Sequence, residues 1–135
     1  MKKFFSTLAV SILIMSLLTA AAPVPNTTFT LVEGLPATMN IGETYTVIVR
    51  VMSDQQFISA QALPSFQYAG KGVVAVQGGS RAGSGKSATL SVTFKAKSST
   101  ARMPGGVAPV YVVVGVRYGG GYVAVQQYVF NVTVP

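Results

Sequence analysis

Apolar and polar residues alternate with a period of two along most of this chain, and that period limits what it can fold into. The segment from Ala88 to Lys97 is the cleanest: Leu90, Val92, Phe94 and Ala96 alternate with Thr89, Ser91, Thr93, Lys95 and Lys97. Successive side chains of a strand point to opposite faces, so such a segment buries one face and wets the other. Thr44 to Val51 does the same, with Tyr45, Val47, Val49 and Val51 on one side and Thr44, Thr46 and Arg50 on the other. Val110 to Tyr118 is a longer apolar run, expected to lie more centrally. Gly119-Gly120-Gly121 reads as a turn, and Tyr122 to Val134 as the returning hairpin partner, with Tyr128, Phe130, Val132 and Val134 on one face. Gln126-Gln127 interrupts that pattern and is expected to mark a bulge.

Weaker strands are expected at Thr28–Val32, around Phe57–Tyr68 in one or two pieces, and at Gly72–Gln77. Turn clusters separate them at Gly34–Gly42, Gly78–Gly85 and Ser98–Gly106. No segment sustains a helical period with caps. About seven short strands punctuated this way predict an all-β chain, a single antiparallel β-sandwich.

The N-terminus reads as an address. Lys2 and Lys3 precede an uncharged, mostly apolar stretch from Phe4 to Leu18, then Thr19-Ala20-Ala21-Ala22 and Pro23. Basic, apolar and small in that order is a secretory signal peptide, with Thr19 and Ala21 filling the small-residue positions before a cut after Ala21. The alternative is an uncleaved anchor, since the uncharged run is long enough to span a bilayer. The expected organisation is a signal peptide at 1–21, an extended arm at 22–27 and a sandwich at 28–134. No membrane span is expected once the signal is removed.

Composition narrows function by exclusion. The chain has no His and no Cys, and only three carboxylates against ten Lys and Arg, for a net charge of +7. Imidazole bases, thiol nucleophiles, disulfides and Cys/His zinc sites are ruled out. Glu33, Glu43 and Asp54 stand in different segments, far from the several oxygen ligands calcium draws from one loop. No catalytic residue, metal ligand or cofactor site is therefore expected.

Two segments carry a resemblance. Gly42-Glu43-Thr44-Tyr45-Thr46-Val47-Ile48-Val49-Arg50-Val51 and Ser84-Gly85-Lys86-Ser87-Ala88-Thr89-Leu90-Ser91-Val92-Thr93-Phe94 resemble two strands of small extracellular Ig-like domains. The Val110–Val134 hairpin is similar to their closing pair. Such domains are widespread in archaeal S-layer-associated and bacterial surface proteins. The resemblance implies an extracellular sandwich and brings no catalytic residue with it. Lys86 departs from it, standing where an acidic or polar residue is commoner, and so does a lone domain where tandem arrays are usual.

Gly78-Gly79-Ser80-Arg81-Ala82-Gly83-Ser84-Gly85-Lys86-Ser87 imitates a phosphate-binding loop. Ser80 replaces its first glycine, and a strand rather than a helix is expected after Lys86, so a hairpin loop is the better reading. The Ser84/Lys86/Ser87 group is the only nucleophilic arrangement, and a lysine in a Gly/Ser loop keeps its proton. Lys71, Arg81, Lys86, Lys95, Lys97, Arg102 and Arg117 are spread over many segments; they read chiefly as a solvated, soluble surface, with an anionic glycan as the partner they would otherwise suit. Export makes nucleic acid an unsuitable partner. Asn26 and Asn131 begin N-x-[ST] sequons.

The expected function is a non-enzymatic extracellular structural protein, a subunit of a surface filament or S-layer-associated assembly. Its partners would be itself or other surface proteins. Val24, Phe29 and Leu31 are the candidate donor-strand residues, the arm of one copy adding to the sheet of the next. The alternative is a monomeric secreted adhesion or binding module for a glycan or protein. It would use loops at Asp54–Ser59, Gly78–Gly85 and Ser98–Gly106, with Tyr68, Tyr111, Tyr118 and Tyr122 as contact aromatics.

Overall fold

The two cleanest alternations lie side by side at the centre of one half of the molecule. A computed structural model describes residues 23–65 and 72–135. Residues 1–21, expected from the sequence to be a signal peptide, together with Tyr68 and Lys71, lie outside the described residues. Seven strands follow in order: β1 (Thr27–Glu33), β2 (Thr44–Phe57), β3 (Ser59–Pro64), β4 (Val74–Ala82), β5 (Gly85–Ala96), β6 (Ala108–Arg117) and β7 (Val123–Val132), with single 3-10 turns at Pro104–Gly106 and Gly119–Gly121.

β2 pairs antiparallel with β5 from Thr44↔Lys95 to Met52↔Ser87. This register puts Val47, Val49 and Val51 on the same buried side as Leu90, Val92 and Phe94. The opposite faces hold threonines, and Thr46 and Thr93 share a hydroxyl hydrogen bond of 3.0 Å across the ladder. β6 is the central strand of the other half, with β3 on one side and β7 on the other. Its Ala108, Val110, Val112, Val114 and Val116 are fully buried and meet the first set in one core. Each fully buried Leu or Phe contributes about 1.5–3 kcal/mol by leaving water.

The strand order is β1-β2-β5-β4-β3-β6-β7, all antiparallel. Split at β4, it gives β1-β2-β5-β4 facing β3-β6-β7, the order of a seven-strand Ig-like sandwich. β4 belongs to both halves. Val74–Gly79 pair with β5, and Ser80–Ala82 pair with β3. At the crossing the backbones come so close that a Cβ on Gly79 would lie 2.8 Å from the carbonyl oxygen of Ala62. Where β4 leaves β5, Ser80 Oγ accepts the Ser91 N–H at 2.6 Å, satisfying a donor the ladder abandons.

Three local expectations change. Gly78–Gly85 is not a turn cluster: β4 continues to Ala82, because its glycines serve the crossing, and only Gly83-Ser84 turns. Asp54–Ser59 is not a loop either. β2 runs on to Phe57, whose buried ring meets Tyr118 edge-on at 6.4 Å, and only Ile58 separates it from β3. Gln126-Gln127 makes no bulge, since β6 and β7 keep an unbroken register from Arg117↔Val123 to Ala108↔Val132. The Gly119–Gly121 turn that closes this hairpin needs positive φ at Gly120 and Gly121.

Candidate functional site

The arm and β1 form a thin outer strip. Among the described residues, β1 pairs along one edge only, with β2 of the same chain, and its register slips between Leu31 and Glu33. Of the three candidate donor-strand residues, Phe29 packs partly buried against the core, Leu31 is 40% exposed and Val24 is 66% exposed. The arm is held by polar contacts. Asp54 Oδ1 accepts the Asn26 N–H at 2.8 Å, and Gln55 Nε2 donates to the Pro23 carbonyl at 3.2 Å. Tyr118 donates its hydroxyl proton to Ser53 Oγ at 2.7 Å, leaving its oxygen to accept from Thr27 Oγ1 at 2.6 Å. Asp54, read from the sequence as an isolated carboxylate, thus fastens the arm.

The segment after β1 is anchored more firmly. Met39 is fully buried, its N–H donates to the Thr133 carbonyl at 2.9 Å, and the Thr133 N–H donates to the Ala37 carbonyl at 2.8 Å. The chain therefore lies on one half of the sandwich through β1 and on the other through residues 37–39, with Gly34-Leu35-Pro36 between.

The outer face of β3-β6-β7 carries two adjoining depressions. One, of about 380 Å³, is lined by Ser59, Gln61, Arg81, Gly115, Arg117 and Val123. Arg81 and Arg117 come from β4 and β6 and were scattered in the sequence; the β4–β3 and β3–β6 registers bring them to one cleft. Arg81 Nη2 donates to Gln61 Oε1 at 3.2 Å, and Gly115 leaves the floor without a side chain. The second depression, of about 290 Å³, continues over Leu63, Val113, Val123 and Val125 and is mostly apolar. Leu63, Val123, Val125 and Val129 are each about half exposed on this face.

Other sequence candidates disperse. The phosphate-loop imitation is the end of β4, a two-residue turn and the start of β5. Tyr118 is buried, so it is not a contact aromatic; its ring supports Tyr122, which is exposed, at 5.7 Å. Tyr111 is half-buried on the outer face. Asn26 and Asn131 are exposed. Glu43 accepts from Tyr45 Oη and Asn40 Nδ2, both at 2.6 Å. The tyrosine hydroxyl first, then the amide, hold its carboxyl below the ordinary carboxylate range. Among the described residues, no three of His, Cys, Asp and Glu cluster as metal ligands, and no helix is long and apolar enough to cross a membrane.

Strand order, antiparallel register and the two-sided core define the class: an Ig-like β-sandwich. No protein-family profile matches the chain, and no curated protein is similar to it in sequence. Among solved structures, it is similar to part of native Escherichia coli alpha-2-macroglobulin, with 14% identity, a TM-score of 0.46, and coverage of 84% of this chain but 7% of that one. It is also similar to murine CRIg, with 10% identity, a TM-score of 0.38, and coverage of 84% of this chain and 99% of that one.

Proposed function

We propose that this chain is a non-enzymatic structural protein of the cell exterior, a subunit of a surface filament or S-layer-associated layer, joined to its neighbours by exchange of β1. One observation carries the reading: among the described residues β1 is bound along a single edge, with Phe29 as its deepest apolar anchor, while residues 37–39 are pinned independently to Thr133, just beyond β7. Such a strand can leave β2 without unfolding the rest. The vacated edge and the Phe29 slot then accept β1 of another copy with the same contacts, so the exchange costs little. Repeated head to tail, it gives fibres. The basic, apolar, small N-terminus supports export, and the sparsely charged surface suits cohesion.

Negative-stain microscopy of purified protein tests it. Fibres are expected from the intact chain, and removal of residues 22–32 should abolish them. Fibres that persist after the deletion overturn the mechanism.

The Arg81/Arg117 cleft favours a second reading, a monomeric adhesion module taking an acidic glycan. Replacing both arginines with alanine would then abolish retention on a sulfated polysaccharide, whereas the filament reading leaves assembly unchanged by it.

A further inference from the structure

The outer strand at the opposite end of the sheet has a property the β1 reading does not use. β7 is an edge strand, and it lacks the features by which natural edges are blunted. From Val123 to Val132 it contains no charge and no proline, and its register with β6 has no bulge. β1, the other edge, has both a register slip and Glu33.

Parity identifies the free groups. The Tyr118 N–H donates to the Tyr122 carbonyl at 2.8 Å, so the even-numbered residues of β7 direct their backbone groups at β6 and the odd-numbered ones direct theirs outward. Thr133 obeys this parity: its outward N–H and carbonyl are the ones taken by Ala37 and Met39. That contact caps the far end of the edge. Upstream, among the described residues, no strand covers Val123, Val125, Gln127 and Val129. Among the described residues, the Gln127 carbonyl is met only by the side-chain amide of the adjacent Gln126, at 3.1 Å.

We propose that two copies of this chain pair through β7, antiparallel about a two-fold axis at Gln126. Asn131 also directs its backbone groups outward, but it adjoins the Thr133 contacts with residues 37–39, so the stretch open to a second strand is Val123–Val129, whose midpoint is Gln126. In that register Val123 faces Val129 of the second copy and Val125 faces Gln127, so every outward backbone group in the stretch is used. The Gln126 side chains leave their local carbonyls and meet across the axis. The occupant follows from charge and shape. The stretch is uncharged and self-complementary, the two Arg117 residues flanking it fall at opposite ends of the joint, and the apolar depressions beside Val125 merge into one face. A pairing with its own symmetry closes at two copies.

The joint is independent of β1 exchange, and the experiment separates them. Light scattering of the full chain with Phe29→Ser, to suppress fibres, should show a concentration-dependent dimer. Val125→Pro removes an N–H that points away from β6, so the fold tolerates it. Two lost hydrogen bonds should weaken the dimer roughly 30-fold. Val125→Lys, with no backbone change, should also yield monomers. Because the chain has no cysteine, Gln126→Cys should form a disulfide dimer on mild oxidation, faster than the exposed control Gln77→Cys. A monomer at every concentration, a dimer indifferent to both Val125 variants, open-ended growth with Phe29→Ser, or equal oxidation rates would overturn the proposal. If Val125→Lys removes dimers but leaves fibres from otherwise unaltered chain, the β7 joint and the β1 exchange are both upheld as separate contacts.

Discussion

Gly79 shows how one missing side chain decides the architecture. The Ala62 carbonyl occupies the space where its Cβ would stand, and both backbones there are held by ladders on their other sides, so neither can move away cheaply. Overpacking of this kind costs about 1–3 kcal/mol. Gly79→Val is expected to lower stability by that amount or more in denaturant titration, whereas Gly83→Ala, in open space, should have little effect. In the sequence, Gly79 is one glycine among several in a stretch that also fits a flexible loop. Nothing local distinguishes a glycine that permits a turn from one that permits two sheets to touch.

At the scale of elements, the ends of the strands matter as much as the strands. Thr100 lies buried in the connection between β5 and β6, and its hydroxyl accepts the Val134 N–H at 3.0 Å while donating to the Gly106 carbonyl at 2.6 Å. It ties that connection to the chain beyond β7, next to the Thr133 contacts that hold residues 37–39. Thr100→Val keeps the shape and leaves a buried N–H and a carbonyl without this partner, a loss of about 1–3 kcal/mol. The expected result is a lower melting temperature and faster hydrogen exchange at Val134 and Thr133, with β2 and β5 unaffected. Faster exchange throughout the core would show instead that Thr100 supports the whole fold. The strands themselves were legible in the alternation of β2, β5 and β7, whose buried faces are the ones the sequence pattern marks. The errors fell at glycines and polar pairs, where a strand continues because a distant strand receives it.

For the whole molecule, the scarcity of carboxylates governs the response to acid. Acid unfolds proteins largely by protonating carboxylates that the native state holds ionised, and this chain has three. Glu43 is held below the ordinary value by Tyr45 and Asn40, so its contribution is present above the unfolded value of 4.5 and disappears as pH falls through the lower folded value. Being solvent-exposed, it has little leverage. The fold is expected to survive from neutral pH to about pH 2 at moderate temperature, as read by near-ultraviolet circular dichroism. Tyr45→Phe should raise the Glu43 midpoint, followed by NMR. Cooperative unfolding within that range would overturn the expectation.

By itself the sequence determined the class of fold and the inventory of chemistry: alternation with period two selects sheets, and a chain without histidine or cysteine has no imidazole or thiol to offer. Tertiary structure alone decided which edges stay open, where Arg81 and Arg117 meet, and that Asp54 fastens the arm. Those are properties of register between strands far apart in the chain, and register is set by the packing of both halves around one core rather than by any local run of residues.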